Sequence, residues 1–225
     1  HTVIHTSSVA AIRTTNYDNG HTFTSDDWCD DASIQSNPYG FAKAEAERIM
    51  RECIDGCSQQ SRQIRLITIH PSIVFGPVFH ERHTSGSMAY LKHFSGRLPF
   101  VLNMHINFVD VRDVAKAHVA ALHQGEDGSR YLLHSKGLWM NEIGRSLRRI
   151  RPGKKWAIAR LPTLLAYVTA AFHPKLKVSQ LRSSLGRQVH FDCRNMEDAL
   201  GLKLHDWNET LGDSIDSLAE LGRKV

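Results

Sequence analysis

No stretch of this 225-residue sequence is apolar for long enough to cross a lipid bilayer. The longest apolar run, LPTLLAYVTAAF, covers residues 161–172, whereas a membrane-spanning helix needs about 20 such residues. The first residues, HTVIHTSS, also lack the charged head and apolar stretch of a secretory signal peptide. These absences predict a soluble, cytoplasmic protein without a membrane span.

Cysteine is scarce, and metal-ligand motifs are missing. The four cysteines are Cys29, Cys53, Cys57 and Cys193, and they form no C-x-x-C pair. Their spacing is not that of a zinc site, so reduced thiols are the simplest interpretation. Histidine is abundant, with 14 residues, and the stretch HERH covers residues 80–83. Because no further acidic or cysteine ligand stands at suitable spacing, we expect no metal site.

Acidic residues are fewer than basic residues in this sequence. The chain has 28 lysines and arginines against 23 aspartates and glutamates, a formal net charge of +5 and a pI of about 9.1. Basic residues concentrate between positions 145 and 160. Such a run can attract an anionic cofactor, nucleic acid or a membrane surface, but a solvated helix face is its more common origin. We expect no nucleic-acid partner.

The apolar patterning predicts an α/β fold with a parallel sheet. Predicted strands cover residues 2–5, 65–77, the start of 106–123 and 130–134. Predicted helices cover residues 38–57, the rest of 106–123, 140–150, 161–172 and 207–222. Strands that alternate with helices in this way are typical of parallel sheets. Residues 11–36 lack periodicity and are expected to form a long loop. On the first helix, Phe41, Ile49 and Cys53 are expected to form the buried stripe.

The stretch SNPYGFAKAEAER, residues 36–48, places Tyr39 and Lys43 one helical turn apart on a shared face. A lysine ammonium beside a tyrosine hydroxyl favours the phenolate, and such a tyrosine can exchange a proton with a carbonyl or alcohol oxygen. Ser7 and Ser8 follow the first predicted strand, where ligands of parallel sheets bind, so a serine hydroxyl could hold that oxygen. The spacing alone is equally typical of a surface helix with a half-buried tyrosine and a snorkelling lysine.

Taken together, the motifs resemble the extended short-chain dehydrogenase/reductase family. In order along the chain they are TSS at a strand end, Y-x-x-x-K at a helix start, HPSIVFGP and FVDVRDVAKAH. The resemblance is closest to the dihydroflavonol reductase-like branch, which includes cinnamoyl-CoA reductases. It continues through RYLL, RLPTLLAYVTAAFHPKL, VHFDCRNMEDALGLK and WNETLGDSIDSLAELG, and so covers essentially the whole chain. The resemblance implies the C-terminal part of a Rossmann-like parallel sheet plus a small, mostly helical substrate-binding lobe.

The resemblance also implies roles for individual residues. Tyr39 matches the family's catalytic acid/base and is also expected to contact the cofactor, and Lys43 matches the lysine that tunes it and binds the nicotinamide ribose. Ser8 matches the catalytic serine, with Ser7 as the less favoured alternative. The cofactor-binding segment, whose backbone touches the nicotinamide carboxamide, corresponds to Pro71, Ser72, Ile73 and Val74. Ser8, Tyr39 and Phe79 are the expected substrate contacts.

The sequence contains neither G-x-G-x-x-G nor G-x-x-G-x-x-G, although dinucleotide-binding enzymes hold pyrophosphate with such a turn. By resemblance, residues 1–76 form a partial dinucleotide-binding domain. Residues 77–225 form mainly the substrate-binding lobe, with residues 106–135 returning to the sheet. The chain is then expected to be a fragment, a protein completed by a companion chain, or a scaffold subunit.

The implied function is NADP(H)-dependent reduction of a ketone or aldehyde, or the reverse alcohol oxidation, with NAD as the alternative cofactor. A sugar-nucleotide epimerase or a 3β-hydroxysteroid dehydrogenase shares the same residues, and a non-catalytic subunit is the competing class. Bulky side chains of the substrate lobe favour a small hydrophobic carbonyl substrate, an aromatic or medium-chain ketone or aldehyde. The alternative, equally expected, is that they simply form the core of the lobe. These side chains are Phe79, Met88, Tyr90, Phe94, Leu98, Phe100, Leu164, Leu165, Tyr167 and Val168.

Overall fold

The computed structural model describes residues 1–59, 63–95, 99–172 and 184–222 and confirms the predicted α/β class with parallel strands. The strands are β1 (Thr2–Thr6), β2 (His21–Phe23), β3 (Arg65–Pro71), β4 (Ile73–Phe75), β5 (Phe100–Val101), β6 (His105–Asp110), β7 (Arg130–Leu133), β8 (Lys136–Trp139), β9 (Ala159–Arg160) and β10 (Val189–Phe191). The α-helices are α1 (Pro38–Gln59), α2 (Ala89–Lys92), α3 (Val111–Gln124), α4 (Met140–Ile150), α5 (Thr163–Phe172), α6 (Arg194–Leu200) and α7 (Trp207–Glu220). Short 3-10 helices cover Val9–Ala11, Glu81–Thr84, Gly86–Met88 and His93–Ser95.

The chain divides into two compact units. Unit 1 consists of His1–Ser72, Arg112–His134 and Val189–Lys203. Unit 2 consists of Ile73–Val111, Ser135–Gln188 and Leu204–Val225. Within the segment 106–135, β6 therefore belongs to unit 2 and β7 to unit 1. The predicted domain limits, 1–76 and 77–225, stay a prediction.

Unit 1 is built on a parallel sheet with the strand order β1-β3-β7. The β-branched run of β3 fills the middle, and Ile67 and Ile69 are fully buried there. Leu132 of β7 is also fully buried, and burial of a side chain of this size contributes about 1.5–3 kcal/mol to stability. Helix α3 buries Ala117 and Ala121. The resulting sheet is buried on both faces along β3, as its continuous apolar sequence predicts.

Helix α1 does not bury the predicted apolar stripe. Ile49 is 57% exposed, and Cys53 is also exposed. The buried positions are Gly40, Ala44 and Glu47, which recur every three or four residues. The prediction was wrong because this face carries two small residues and a paired charge, so it has no apolar signature.

Strand pairing and hydrogen bonds fix the predicted long loop before α1 in place. Its short strand β2 pairs in parallel with β10, and the Cys29 amide donates to the Ala11 carbonyl at 2.9 Å. The Arg130 guanidinium donates to the carbonyls of Ser25 and Asp27. These contacts satisfy backbone groups that a loop buried without partners would leave unpaired.

Unit 2 contains a sheet with the order β4-β6-β8, in which β6 runs parallel to β4 and antiparallel to β8. Its core includes Phe75 and Phe108, whose ring centroids lie 5.2 Å apart. Helix α4 turns Ile143 and Leu147 into this core. The side chains of Arg145, Arg148 and Arg149 on α4 are exposed. The basic run is thus, in this helix, the outer face of an amphipathic element.

No helix in the described ranges is both long and apolar enough to cross a membrane.

Candidate active site

The first part of the candidate site is the turn that follows β1, here called the strand-end turn and defined as residues 6–10. The Ser7 amide donates to the Ile69 carbonyl at 2.8 Å, which extends the pairing of β1 with β3 by one residue. Ser8 is extended and caps the 3-10 helix Val9–Ala11, because its Oγ accepts from the Ala10 amide at 3.2 Å. Its side chain is half-buried, whereas Ser7 is 3% exposed.

The second part is the N-terminus of α1. Asn37 caps the helix, since its Oδ1 accepts from the Gly40 amide at 3.1 Å. Pro38 occupies the first position, where the missing amide hydrogen costs nothing. Gly40 lets the helix approach the strand-end turn closely: an added Cβ would lie 3.0 Å from the Ala10 carbonyl oxygen and 2.5 Å from Asn37 Nδ2. The cap and the glycine together hold the start of α1 against the strand-end turn, and Tyr39, next to Gly40, is 59% exposed there.

Lys43 connects these two parts. Its Nζ donates to the Thr6 carbonyl at 3.3 Å, so the ammonium lies at the carboxyl end of β1. Tyr39 precedes it by one helical turn on the same face. The structure therefore brings Lys43 to the strand-end turn that carries Ser8. The catalytic roles of Ser8, Tyr39 and Lys43 stay predictions.

The predicted cofactor segment follows the neighbouring strand. Pro71 ends β3 beside Leu133, and the Ser72 amide donates to the Leu133 carbonyl at 2.9 Å. Ser72 Oγ is buried and has no hydrogen-bond partner among the described residues, which is unusual for a buried hydroxyl. Ile73 and Val74 begin β4 in unit 2. A buried donor without a partner at a strand end suits the amide of a nicotinamide.

Phe79 belongs to unit 2 and is 80% exposed. It lines a cleft of about 370 Å³ together with Val74, Met88 and Val111. At the base of the cleft, Gly76 has a φ of +130°, and an added Cβ would lie 2.7 Å from Val111 Cγ1. This cleft is mainly apolar in its lining, as pockets for hydrophobic ligands are.

The other bulky residues of the predicted substrate lobe have different environments. Met88 and Phe94 are buried in the core of unit 2. Tyr90, Phe100 and Leu164 are exposed. Leu98 lies outside the described residues. Part of this set therefore stabilises unit 2, whereas another part remains accessible to a ligand.

A buried ionic cluster behind the strand-end turn was missed by the sequence analysis. We call it the Glu47 cluster, and it consists of Ser7, Glu47, Arg51, Thr68, His70 and Arg130. Glu47 Oε1 accepts from Arg130 Nε at 2.8 Å, Arg51 Nη2 at 3.1 Å and Thr68 Oγ1 at 3.4 Å. Glu47 Oε2 lies 2.7 Å from His70 Nε2 and accepts from Ser7 Oγ at 3.3 Å. Glu47 and His70 are fully buried. Two signals were available: Glu47 follows Lys43 by one helical turn, and Arg130 begins the otherwise apolar strand β7.

The charges of the cluster follow from these contacts. Burial alone would raise the pKa of the Glu47 carboxyl, but the hydrogen bond from His70 and the guanidinium of Arg130 outweigh it, so this pKa is lowered. Burial lowers the pKa of the His70 imidazole, although Glu47 opposes the shift. The cluster thus holds an ionised Glu47, two guanidinium groups and, at neutral pH, an uncharged His70.

Acidification should weaken the fold through His70. A histidine with a lowered pKa in the folded state binds its proton mainly after unfolding, so stability falls as the pH drops below the ordinary value of 6.5. Glu47 acts in the same direction below its ordinary value of 4.5. We expect the free energy of unfolding of the full-length protein to decrease between about pH 7.5 and 5.5, and His70→Gln to flatten that decrease.

Denaturant titrations at several pH values test this expectation. His123→Gln is the matched control, because His123 is exposed on α3. If His70→Gln leaves the pH dependence of the unfolding free energy as it is in the parent, the buried imidazole is not its source.

In the part of the chain that the structure describes, no three His, Cys, Asp or Glu side chains are grouped to hold a metal ion. In the HERH stretch, His80 caps the 3-10 helix Glu81–Thr84, because its Nδ1 accepts from the Arg82 amide at 3.1 Å, and His83 lies within that helix. None of the four cysteines is joined in a disulfide, and Cys29 and Cys193 are buried.

Comparison with known proteins identifies the class of protein. A model of the NAD dependent epimerase/dehydratase family matches residues 2–133, which include the strand-end turn, Tyr39, Lys43 and the cofactor segment. The chain belongs to this family, and the predicted family resemblance is confirmed.

The curated relatives include cinnamoyl-CoA reductases and uncharacterized oxidoreductases. The chain is 25% identical to cinnamoyl-CoA reductase 2 of Arabidopsis thaliana over 186 residues, which are 83% of this chain and 49% of the relative. It is 30% identical to an uncharacterized oxidoreductase of Schizosaccharomyces pombe over 175 residues, or 70% of this chain and 50% of the relative. The chain spans about half the length of the curated relatives it matches.

Solved structures share the fold. The structure of yeast methylglyoxal/isovaleraldehyde reductase Gre2 with NADPH has a TM-score of 0.74 at 23% identity and is matched over 99% of this chain and 65% of Gre2. Vestitone reductase from alfalfa (Medicago sativa) has a TM-score of 0.72 at 20% identity, over 98% of this chain and 65% of the reductase. These likenesses confirm the Rossmann-like fold that the motifs implied.

Proposed function

We propose that this chain is part of an NADP(H)-dependent carbonyl reductase that acts on a hydrophobic ketone or aldehyde. The observation that carries the proposal is the hydrogen bond from Lys43 Nζ to the Thr6 carbonyl. It joins the helix that carries Tyr39 to the strand-end turn that carries Ser8, which is the arrangement a serine, tyrosine and lysine mechanism needs.

When bound, a reduced nicotinamide supplies the hydride that the carbonyl carbon receives. In the proposed step, the Tyr39 hydroxyl donates its proton to the carbonyl oxygen, which yields the alcohol. Ser8 donates a hydrogen bond to the same oxygen and holds it in place. Lys43 favours the phenolate that Tyr39 becomes, because its ammonium lies one helical turn away. The reverse sequence oxidises an alcohol.

Other observations support NADP(H) as the cofactor and a hydrophobic carbonyl compound as the substrate. Yeast Gre2 holds NADPH in its solved structure, and we extend this preference to the present chain. Lys43 and the unpartnered Ser72 hydroxyl would face the nicotinamide half of the cofactor. The cleft beside Phe79, with its apolar lining, supports a hydrophobic substrate. The names of the relatives, cinnamoyl-CoA reductase and vestitone reductase, also indicate aromatic substrates.

A substrate screen on the full-length protein tests the proposal. With NADPH as reductant, we expect aryl ketones and medium-chain aldehydes to have a higher kcat/KM than small hydrophilic aldehydes, because only the former fill an apolar cleft. The measurement is the loss of NADPH absorbance. The highest kcat/KM for small hydrophilic aldehydes would contradict the substrate class, and no NADPH oxidation with any carbonyl would contradict the reductase itself.

A further inference from the structure

One face of α1 contacts the strand-end turn in three successive helical turns. The contacting residues stand at positions 40, 43 and 47, the spacing of one helix face. The contacts are Gly40 against the Ala10 carbonyl, Lys43 Nζ to the Thr6 carbonyl and Glu47 Oε2 to Ser7 Oγ. The strand-end turn is therefore held by the first ten residues of α1, and Glu47 makes the most deeply buried of these contacts.

The Glu47 contact distinguishes the two serines. Side chains of consecutive residues in extended backbone point in opposite directions. The Ser7 hydroxyl points into the protein, where Glu47 accepts its hydrogen and only 3% of the residue is exposed. Ser8 is extended, with φ of −163° and ψ of 155°, and stays half-buried. Its oxygen accepts from the Ala10 amide, so its hydrogen remains available for donation.

Hydrogen bonds with two buried side chains fix the position of the Glu47 carboxylate. Arg130 Nε donates to it at 2.8 Å, and His70 Nε2 lies 2.7 Å from its other oxygen. An ionised carboxylate accepts hydrogen bonds and donates none, so Ser7 must be the donor in the bond that joins them. Both the position of the Ser7 hydroxyl and the direction of its hydrogen are therefore set by buried charges.

We propose that Glu47 is a positioning residue for the active site. By accepting the Ser7 hydrogen it holds Ser7 inward, and this orientation directs the neighbouring Ser8 hydroxyl to the outer side of the turn, beside the helix start that carries Tyr39. The kinetic part of this proposal rests on the proposed carbonyl reductase function, whereas the structural part does not.

The test compares Glu47→Gln and Ser7→Ala with the parent in the full-length protein. Glu47→Gln places a donor where Ser7 needs an acceptor. Ser7→Ala removes the hydroxyl and leaves the buried charges intact, so it stays informative even if Glu47→Gln folds poorly. Glu45→Gln is the matched control, because Glu45 lies on the same helix and pairs with Arg48 at the surface.

We expect Ser7→Ala and Glu47→Gln each to lower kcat by about 10- to 100-fold, since a small displacement of a catalytic group has an effect of this size. The KM for NADPH should stay at the parent value, and Glu45→Gln should match the parent throughout. The double variant should lose no more kcat than Glu47→Gln alone, because both changes break the same contact. In both variants, hydrogen exchange at the amides of residues 7–11 should accelerate more than in the rest of unit 1.

Each other outcome has a distinct meaning. If Ser7→Ala keeps the kcat of the parent and the exchange of residues 7–11 is unchanged, the positioning role is refuted. If Ser7→Ala loses more kcat than Ser8→Ala, then Ser7 is the catalytic serine, and the proposal is equally refuted. If the parent oxidises no NADPH with any carbonyl, the proposed function fails, and the hydrogen-exchange result alone decides whether Glu47 orients the turn.

Discussion

Replacing Tyr39 with phenylalanine should lower kcat for carbonyl reduction by about 10²- to 10⁴-fold, the usual contribution of general acid catalysis. The change removes the hydroxyl that donates the proton and retains the ring. Because Tyr39 is 59% exposed at the helix N-terminus, the fold does not depend on its hydroxyl. The melting temperature and the affinity for NADPH should therefore stay close to those of the parent.

Steady-state kinetics with NADPH and an aryl ketone provide the measurement. Tyr131→Phe is the matched control, because it removes a tyrosine hydroxyl from β7, where that hydroxyl accepts a long hydrogen bond of 3.4 Å from the Glu126 amide. We expect this control to retain the parent kcat. A Tyr39→Phe variant that keeps more than about half of the parent kcat would show that another group protonates the substrate.

Arg130→Leu should lower the free energy of unfolding by about 3–5 kcal/mol, the cost of breaking a buried ion pair by removing one partner. Arg130 is 9% exposed and donates to both carboxylate oxygens of Glu47. Its guanidinium also lies 4.0 Å from the Trp28 ring centroid and donates to the Asp27 carbonyl at 2.7 Å. The substitution leaves the buried negative charge of Glu47 with one cationic partner fewer. It also removes the hydrogen bonds and the cation-π contact that hold the loop before α1.

Denaturant unfolding and hydrogen exchange together measure this effect. We expect faster exchange at residues 24–29 in addition to the lower stability, since these residues lose both the carbonyl contacts and the cation-π contact. Arg194→Leu is the control, because the Arg194–Asp192 pair lies at the surface, and we expect no measurable change. If Arg130→Leu unfolds at the same denaturant concentration as the control, the Glu47 cluster is not a stabilising feature.

The elements that could be predicted are those with strong periodicity. The β-branched run that forms β3 and the helical pattern that begins at Pro38 were both predicted, and the structure confirms them. The strand predicted over residues 65–77 is, however, divided at Ser72 into β3 and β4, which belong to different sheets. Short elements were missed. Strands β2 and β10 have three residues each, and they exist because they pair with each other across a long stretch of chain. No local pattern carries that information, since a strand this short depends on its partner.

The residues of the candidate site likewise include some that the sequence reveals and some that it does not. Tyr39, Lys43 and Ser8 could be found because their order and spacing match a family motif. Glu47 and Arg130 could not, since a lone Glu and a lone Arg normally indicate solvent exposure. Their burial follows from mutual neutralisation, which depends on two segments 83 residues apart meeting in the fold. Sequence patterning therefore identifies the candidate catalytic groups more readily than the buried ionic groups behind them.

The discontinuity of unit 1 has a consequence for the synthesis of the protein. Its sheet strands β1, β3 and β7 are neighbours in space but come from distant parts of the chain, and β2 pairs with a strand that ends at Phe191. Contacts between distant segments form slowly, because the intervening chain must first close into a loop. While the ribosome is still translating unit 2, the segment that carries Ser8, Tyr39 and Lys43 has emerged without β10. The nascent chain therefore has an unpaired β2 edge until β10 has been translated.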